Sequence, residues 1–156
     1  RTTAKDREMI DWALTETNMM EFQHRPIGAM SGGQRQRAWI AMAIAQDTEI
    51  LFLDEPTSFL DVAHQMEVLR LVQHLNEAYG KTIVMVLHEL NQAARFAHCL
   101  VGMCRGQLLY CGTPEEVFHK EMLHRVFHID AELMSDPRTG KPMCIPYCVN
   151  ESEHSA

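Results

Sequence analysis

Asp54 and Glu55 stand side by side at the end of an unbroken apolar run, Ile50-Leu51-Phe52-Leu53. Adjacent carboxylates do not serve packing, because burying an ionised group is costly unless it is paired or binds metal. The useful division is one carboxylate for a cation and one for a water. An aspartate at the end of a buried strand can hold Mg2+ through water, and a glutamate just past it can take a proton from an attacking water. His88 follows a second apolar run, 82–87, and could donate to a phosphate oxygen or orient that water. A third group is Ser31-Gly32-Gly33-Gln34. A helix opening there would offer unpaired backbone N–H groups and a positive dipole end to a phosphate. Glycines permit close approach of the backbone, at about 1 kcal/mol each in helix propensity. Nowhere does the chain carry the G-x-x-x-x-G-K-[ST] loop that cradles phosphates, so these groups make up half of a nucleotide site.

Each group alone has a plain structural reading: a solvated acidic turn after a strand, a glycine-rich loop before a helix, a satisfied polar residue. Their order along the chain, with Ser58-Phe59-Leu60-Asp61 following the carboxylates, favours a shared chemical purpose.

The elements that must position these residues are legible in the spacing. Met9, Ile10, Ala13 and Leu14 predict a helix over 5–19, and Pro26 and Gly28 predict a connection after it. Ser31 with Gln34 three residues on is a capping-box pattern. The helix it opens should run to about Ala45, with Trp39, Met42, Ala43 and Ile44 turned toward neighbouring structure. Residues 49–54 show no polar alternation and read as a central strand buried on both faces. Asp61 is placed to cap a helix through Tyr79, with Met66, Leu69, Val72 and Leu75 inward and Gly80 as the stop. A second buried strand over 82–87 and a helix over 89–97 complete an α/β alternation with a parallel sheet. Beyond it, Arg105-Gly106 between two apolar runs predicts a hairpin. Thr113-Pro114-Glu115-Glu116 predicts a capped helix start. The tail from Asp136, with three prolines and a polar end, is expected to be irregular and partly mobile.

Composition narrows the classes. The 156 residues suffice for one globular domain with a sizeable core, and 46% hydrophobic against 22% charged is an ordinary soluble balance. A formal charge of −7 gives no support to a nucleic-acid partner. No apolar run is long enough to cross a bilayer, and no signal peptide opens the chain. Five irregularly spaced cysteines argue against a disulfide framework and for a reducing cytoplasm. The chain opens on Arg1 rather than methionine, so a longer protein is expected upstream.

The motifs taken together resemble those of the ATP-binding-cassette (ABC) ATPases. Met30-Ser31-Gly32-Gly33-Gln34-Arg35-Gln36-Arg37 resembles the signature motif, 50–57 the Walker B strand, Ser58 to Asp61 the D-loop, and His88 the switch histidine. Residues 34–76, 87–101, 112–130 and 136–146 are similar to ATPase subunits of bacterial ferric-siderophore importers, with haem and cobalamin importers as near relatives. The resemblance implies an α/β fold, the C-terminal part of a P-loop NTPase domain, its parallel sheet flanked by helices and followed by a small hairpin and a helical extension. Residues 1–112 would belong to the nucleotide-binding domain, with 1–46 its helical subdomain, and 113–156 would form the extension. It implies ATP and Mg2+ as cofactors, hydrolysis coupled to uptake of iron(III)-siderophore, and a head-to-tail second ATPase subunit. A transmembrane permease and, indirectly, a periplasmic or surface substrate-binding protein would be further partners, at the cytoplasmic face of the bacterial plasma membrane.

By that resemblance Ser31, Gly32, Gly33 and Gln34 would touch ATP held by the partner subunit. Asp54 (Mg2+, through water), Glu55 and His88 would serve the chain's own ATP, and Asp61 would cross the interface. The family's phosphate loop and glutamine loop lie upstream of the position matching Arg1, so this chain alone is expected to be inactive. Met30 stands where leucine is usual, and Glu89 follows the histidine where aspartate is typical. Two other readings remain: a soluble, non-transport ATPase of the superfamily, or a non-catalytic docking fragment. Sustained heptads or a tandem repeat would favour the first, and neither is present.

Other features read as structural. Cys144 and Cys148 have the wrong spacing for a zinc knuckle. His124 and His128, one helical turn apart and near His119, form a possible metal pair, but a solvated helix face beside Val126 and Phe127 is the preferred reading. The eleven methionines suggest adaptable packing. Arg35 and Arg37 read as solvated surface charge.

Overall fold

The computed structural model describes residues 2–149. They form two compact units, one ending at Leu87 and one beginning at His88.

In the first unit, α1 (Ala4–Glu16) starts from Thr3. The Thr3 hydroxyl accepts from the Asp6 amide while the Asp6 carboxylate accepts from the Thr3 amide, which satisfies two of the donors a helix start leaves open. The helix ends earlier than the spacing predicts. The Thr17 hydroxyl donates back to the Ala13 carbonyl at 2.8 Å, and Asn18 takes a left-handed φ of 54°. The connection over 20–30 holds two single 3-10 turns, the second directly after Pro26.

Next comes α2 (Gly32–Ile44), whose buried face is Gly33, Ile40, Ala41 and Ile44. Ile44 and Ala43 pack on the core as expected, but Trp39 and Met42 are exposed. Successive helix residues point about 100° apart, so choosing the stripe one residue off turns it away from α1 and α3.

β1 (Ile50–Leu53) and β2 (Thr82–Met85) pair in parallel, Ile50 opposite Thr82 and Leu53 opposite Met85. Between them runs α3 (Val62–Tyr79), which buries Val68, Leu69, Val72 and Leu75 and leaves Met66 half-buried. Gly80 ends it at φ 65°, a conformation that a side chain would strain. Ala13, Ile40, Ala41, Ile44, Leu51, Val68 and Leu75 form one core. The sheet departs from the expectation of two buried faces. Leu51 and Leu53 lie on the core side, whereas Ile50 and Phe52 (74% exposed) face outward with Val84. The helices of this unit cover one face, and the other has no covering layer among its described residues.

In the second unit α4 (Leu90–Phe96) leads to an antiparallel hairpin of β3 (Leu100–Cys104) and β4 (Gln107–Gly112). Arg105 and Gly106 both take positive φ, 49° and 75°, the turn whose twist suits a two-residue hairpin. Thr113 opens α5 (Pro114–Val117) with the expected capping box to Glu116. α6 (Lys120–Phe127) is capped at its start by the His119 ring and ends at His128, φ 55°.

The segment expected to be irregular is instead a second hairpin of β5 (Ile129–Ser135) and β6 (Pro142–Val149). Asp136 builds its turn, one carboxylate oxygen accepting from the amides of Arg138 (2.8 Å) and Thr139 (3.2 Å). The prolines are tolerated because Pro142 opens the strand and Pro146 stands where the register shifts, in a sheet with two open edges. Residues 150–156, the polar end of that tail, lie outside the described residues. Ala94, Val117, Phe118, Met122, Leu123, Ala131 and Cys144 form this unit's core. Asn91 clamps β6 to α4 through both backbone groups of Cys144, at 2.8 and 3.0 Å.

Candidate functional site

Ser31 is the N-cap of α2. Its hydroxyl accepts from the Gln34 amide at 3.3 Å, and its own amide donates to Gln34 Oε1 at 3.0 Å. The box is complete, so Gln34 is occupied in holding the turn, while Ser31 and Gly32 are exposed at the positive end of a helix of 13 residues. The two glycines differ. A Cβ on Gly32 would meet Leu60 Cδ2 at an ordinary 3.6 Å, so nothing in the packing forbids a side chain there. A Cβ on Gly33 would lie 2.4 Å from His64 Cδ2 and 3.0 Å from Cγ. Gly33 is buried, and a side chain there would have to displace the ring of His64.

The carboxylates lie where the spacing placed them. Asp54 follows the last residue of β1 directly, and both Asp54 and Glu55 are exposed. Glu55 takes a φ of 48°, a region a glutamate seldom occupies, and Phe59 in the same loop takes 62°. Strained backbone of this kind persists where surrounding contacts over-determine it and clusters at functional loops. Here Ser58 supplies two of those contacts: its hydroxyl donates to Glu55 Oε2 at 2.9 Å and its amide to the Glu55 carbonyl at 3.1 Å. Pro56 and Thr57 are buried beneath the turn. Phe59 is fully exposed beside it.

Asp61 caps α3 by accepting the His64 amide at 2.9 Å. His64 Nδ1 lies 2.9 and 2.8 Å from the two carboxylate oxygens. Both contacts hold the Asp61 carboxyl below its ordinary pKa, the backbone bond first and the ring second. His64 therefore touches the D-loop-like segment with its nitrogen and the signature-like helix with its carbon edge. Its role went unread in the sequence; the only local signal was a polar residue three positions after a capping aspartate.

The structure thus brings Ser31, Gly32, Gly33, Gln34, Asp54, Glu55 and Asp61 into the first unit, on the turns that end β1 and open α2 and α3. His88 opens the second unit, immediately before Glu89, the N-cap of α4. Arg35 and Arg37, expected to be solvated, are engaged. Arg35 donates to the Met30 carbonyl at 2.7 Å, and Arg37 pairs with Glu67 of α3 at 2.6 Å. His124 pairs with Asp130 at 3.2 Å. Among the described residues no three metal-binding side chains gather, so an ion at Asp54 would depend on water and phosphate oxygens for its remaining ligands. No helix among them is long and apolar enough to cross a membrane.

Comparison with known proteins follows the same lines. A family model described as "ABC transporter" matches residues 1–58. The chain is 53% identical over 153 residues to the iron(3+)-hydroxamate import ATP-binding protein FhuC of Bacillus subtilis, covering 98% of this chain and 57% of that protein. It is 51% identical over 143 residues to the petrobactin import ATP-binding protein FpuD of Bacillus anthracis, covering 92% and 52%. Among solved structures, an inward-facing conformation of a metal-chelate type ABC transporter superposes with a TM-score of 0.85 at 28% identity, covering 95% of this chain and 59% of that one. The dimeric post-hydrolysis state of the cassette MJ0796, bound to ADP and Pi, gives 0.61 at 30% identity, covering 72% and 49%. The chain spans about half the length of the curated relatives it matches. Over nearly all of its length the chain is similar to ATP-binding proteins of ABC transporters, and its fold matches their ATPase domains.

Proposed function

We propose that this chain is part of the ATP-hydrolysing subunit of a bacterial importer for iron(III)-siderophore complexes. The observation that carries the reading is the first unit's set of turns. An exposed, capped helix start at Ser31-Gly32, exposed carboxylates at the end of β1, and Asp61 held at the start of α3 stand in the order of the family's motifs. The siderophore assignment draws on relatives whose names specify ferric hydroxamate, petrobactin and achromobactin transport at 47–53% identity.

In this reading Asp54 would hold Mg2+, and the ion would supply charge neutralisation at the phosphates. Glu55, fixed by Ser58, accepts the proton of the attacking water. His88 is assigned the switch-histidine role from the resemblance of the sequence alone. Ser31 and the α2 N-terminus meet ATP bound by a second subunit arranged head to tail, and Asp61 lies at the interface. The exposed Phe59 and Val62 flanking Asp61 give that interface apolar area. The subunit works at the cytoplasmic face of the plasma membrane and meets the substrate-binding protein only through the permease.

The test is transport. The chain is fused to the part of the Bacillus subtilis hydroxamate relative that it does not span, and the fusion is expressed in cells lacking that relative. Restored uptake of ferric hydroxamate is expected. A fusion that hydrolyses ATP yet neither restores uptake nor co-purifies with a permease would favour a soluble ATPase instead.

A further inference from the structure

We propose that Cys99 and Cys111 form a redox couple, two thiols placed to close a reversible disulfide by exchange with small-molecule disulfides. Their Sγ atoms lie 3.9 Å apart and both residues are exposed. Cys99 sits immediately ahead of β3 and Cys111 is the last residue but one of β4. In the ladder Leu100 faces Gly112 and Val101 faces Cys111, so both thiols lie at the open end of the hairpin, away from the Arg105-Gly106 turn. The hairpin fixes the strand carrying Cys111, while Cys99 stands outside the ladder, its sulfur also 3.8 Å from the Leu100 carbonyl. Bringing the sulfurs to about 2.05 Å asks for a shift of roughly 2 Å, within the reach of side-chain rotation and a small movement at one residue.

The other cysteines are placed differently. Cys104 is half-buried at the turn end of β3, Cys144 is buried under the Asn91 clamp, and Cys148 lies on β6. The pairing is therefore specific within the second unit, and it stands independently of the transport reading.

The chemistry follows from the contact. The two sulfurs share a contact in which either can be the donor, and Cys99, which stands outside the ladder, is assigned as the attacking group. The Cys99 thiolate attacks one sulfur of a small disulfide such as oxidised glutathione, whose S–S bond breaks and releases one thiolate. Cys111 then gives its proton to solvent and attacks the Cys99 sulfur, expelling the second thiolate. Two protein thiols are oxidised and one small disulfide is reduced to two thiols. The product ties the two ends of the β3–β4 hairpin together, next to the Thr113 capping box that starts α5.

The experiment treats the full chain with oxidised glutathione at mildly alkaline pH, quenches with acid, and maps the products by thiol titration and peptide mass. The expected result is loss of two of the five free thiols, a mass lower by two hydrogens, and one linked peptide joining Cys99 to Cys111. Cys111→Ser should stop at a mixed disulfide on Cys99. A stable glutathione adduct on the unmutated chain, a link through Cys104 or Cys148, or no reaction would overturn the proposal. The unmutated chain alone decides these outcomes, so a variant that fails to fold does not obscure them.

Discussion

The ring of His64 fills the space that a side chain on Gly33 would need, with an added Cβ only 2.4 Å from Cδ2. The same ring holds Asp61 through Nδ1 at 2.8 Å. One side chain thus joins the start of α2 to the start of α3, and two segments of motif-like sequence share a packing reason as well as a chemical one.

Gly33→Ala forces the ring aside and is expected to destabilise the chain by about 1–3 kcal/mol, the usual range for overpacking. His64→Ala in the same chain should relieve most of that cost. Urea unfolding of the two single variants and the double variant measures the coupling. Additive effects would mean the ring is free to move away.

Asp61 has its pKa lowered by the His64 amide and ring, so its carboxylate is favoured in the folded state. The sign follows. That contribution is present above the unfolded value of 3.8 and is lost as pH falls through the folded value. Thermal midpoints taken between about pH 6 and about pH 3 should fall more steeply for the natural chain than for Asp61→Asn. Parallel curves would contradict the pairing.

Leu75 is fully buried in the first unit's core, on the inward face of α3. Leu75→Ala should cost about 2–5 kcal/mol, read as a lower denaturant midpoint with unchanged slope. A loss below about 1 kcal/mol would indicate that the site collapses around the smaller side chain.

Ile50, Phe52, Val84 and Val86 leave an apolar surface on and beside one face of the β1–β2 sheet. The isolated chain should therefore bind an apolar dye and self-associate. Phe52→Ser should lower both while changing stability by no more than about 0.5 kcal/mol, as exposed substitutions usually do. Unaltered dye binding would place the adhesive surface elsewhere.

What was legible in the sequence was chiefly local. The boxes at Ser31 and Thr113, the Asp61 cap, the Gly80 stop and the Arg105-Gly106 turn each depend on residues a few positions apart, and each formed as read. What depended on distant packing was not legible. The continuous apolar run at 50–53 could not reveal that Phe52 would face outward, because a run without polar residues says nothing about how many faces are covered. The face of α2 is chosen by α1 and α3, which is why Trp39 and Met42 turned out exposed. Prolines at 142 and 146 suppressed a strand that edge positions and a register shift permit. In the candidate site, residue types announced Asp54 and Glu55, but the strained φ of Glu55 and the bridging ring of His64 exist only in three dimensions.

The central claim is that Glu55 removes a proton from the attacking water. The decisive measurement is single-turnover ATP hydrolysis by the fusion described above, with and without Glu55→Gln. The account predicts that the variant still binds ATP while hydrolysis slows by about 10²-fold or more, the range that loss of a general base produces. Hydrolysis at an unchanged rate, with ATP bound equally well, would contradict it.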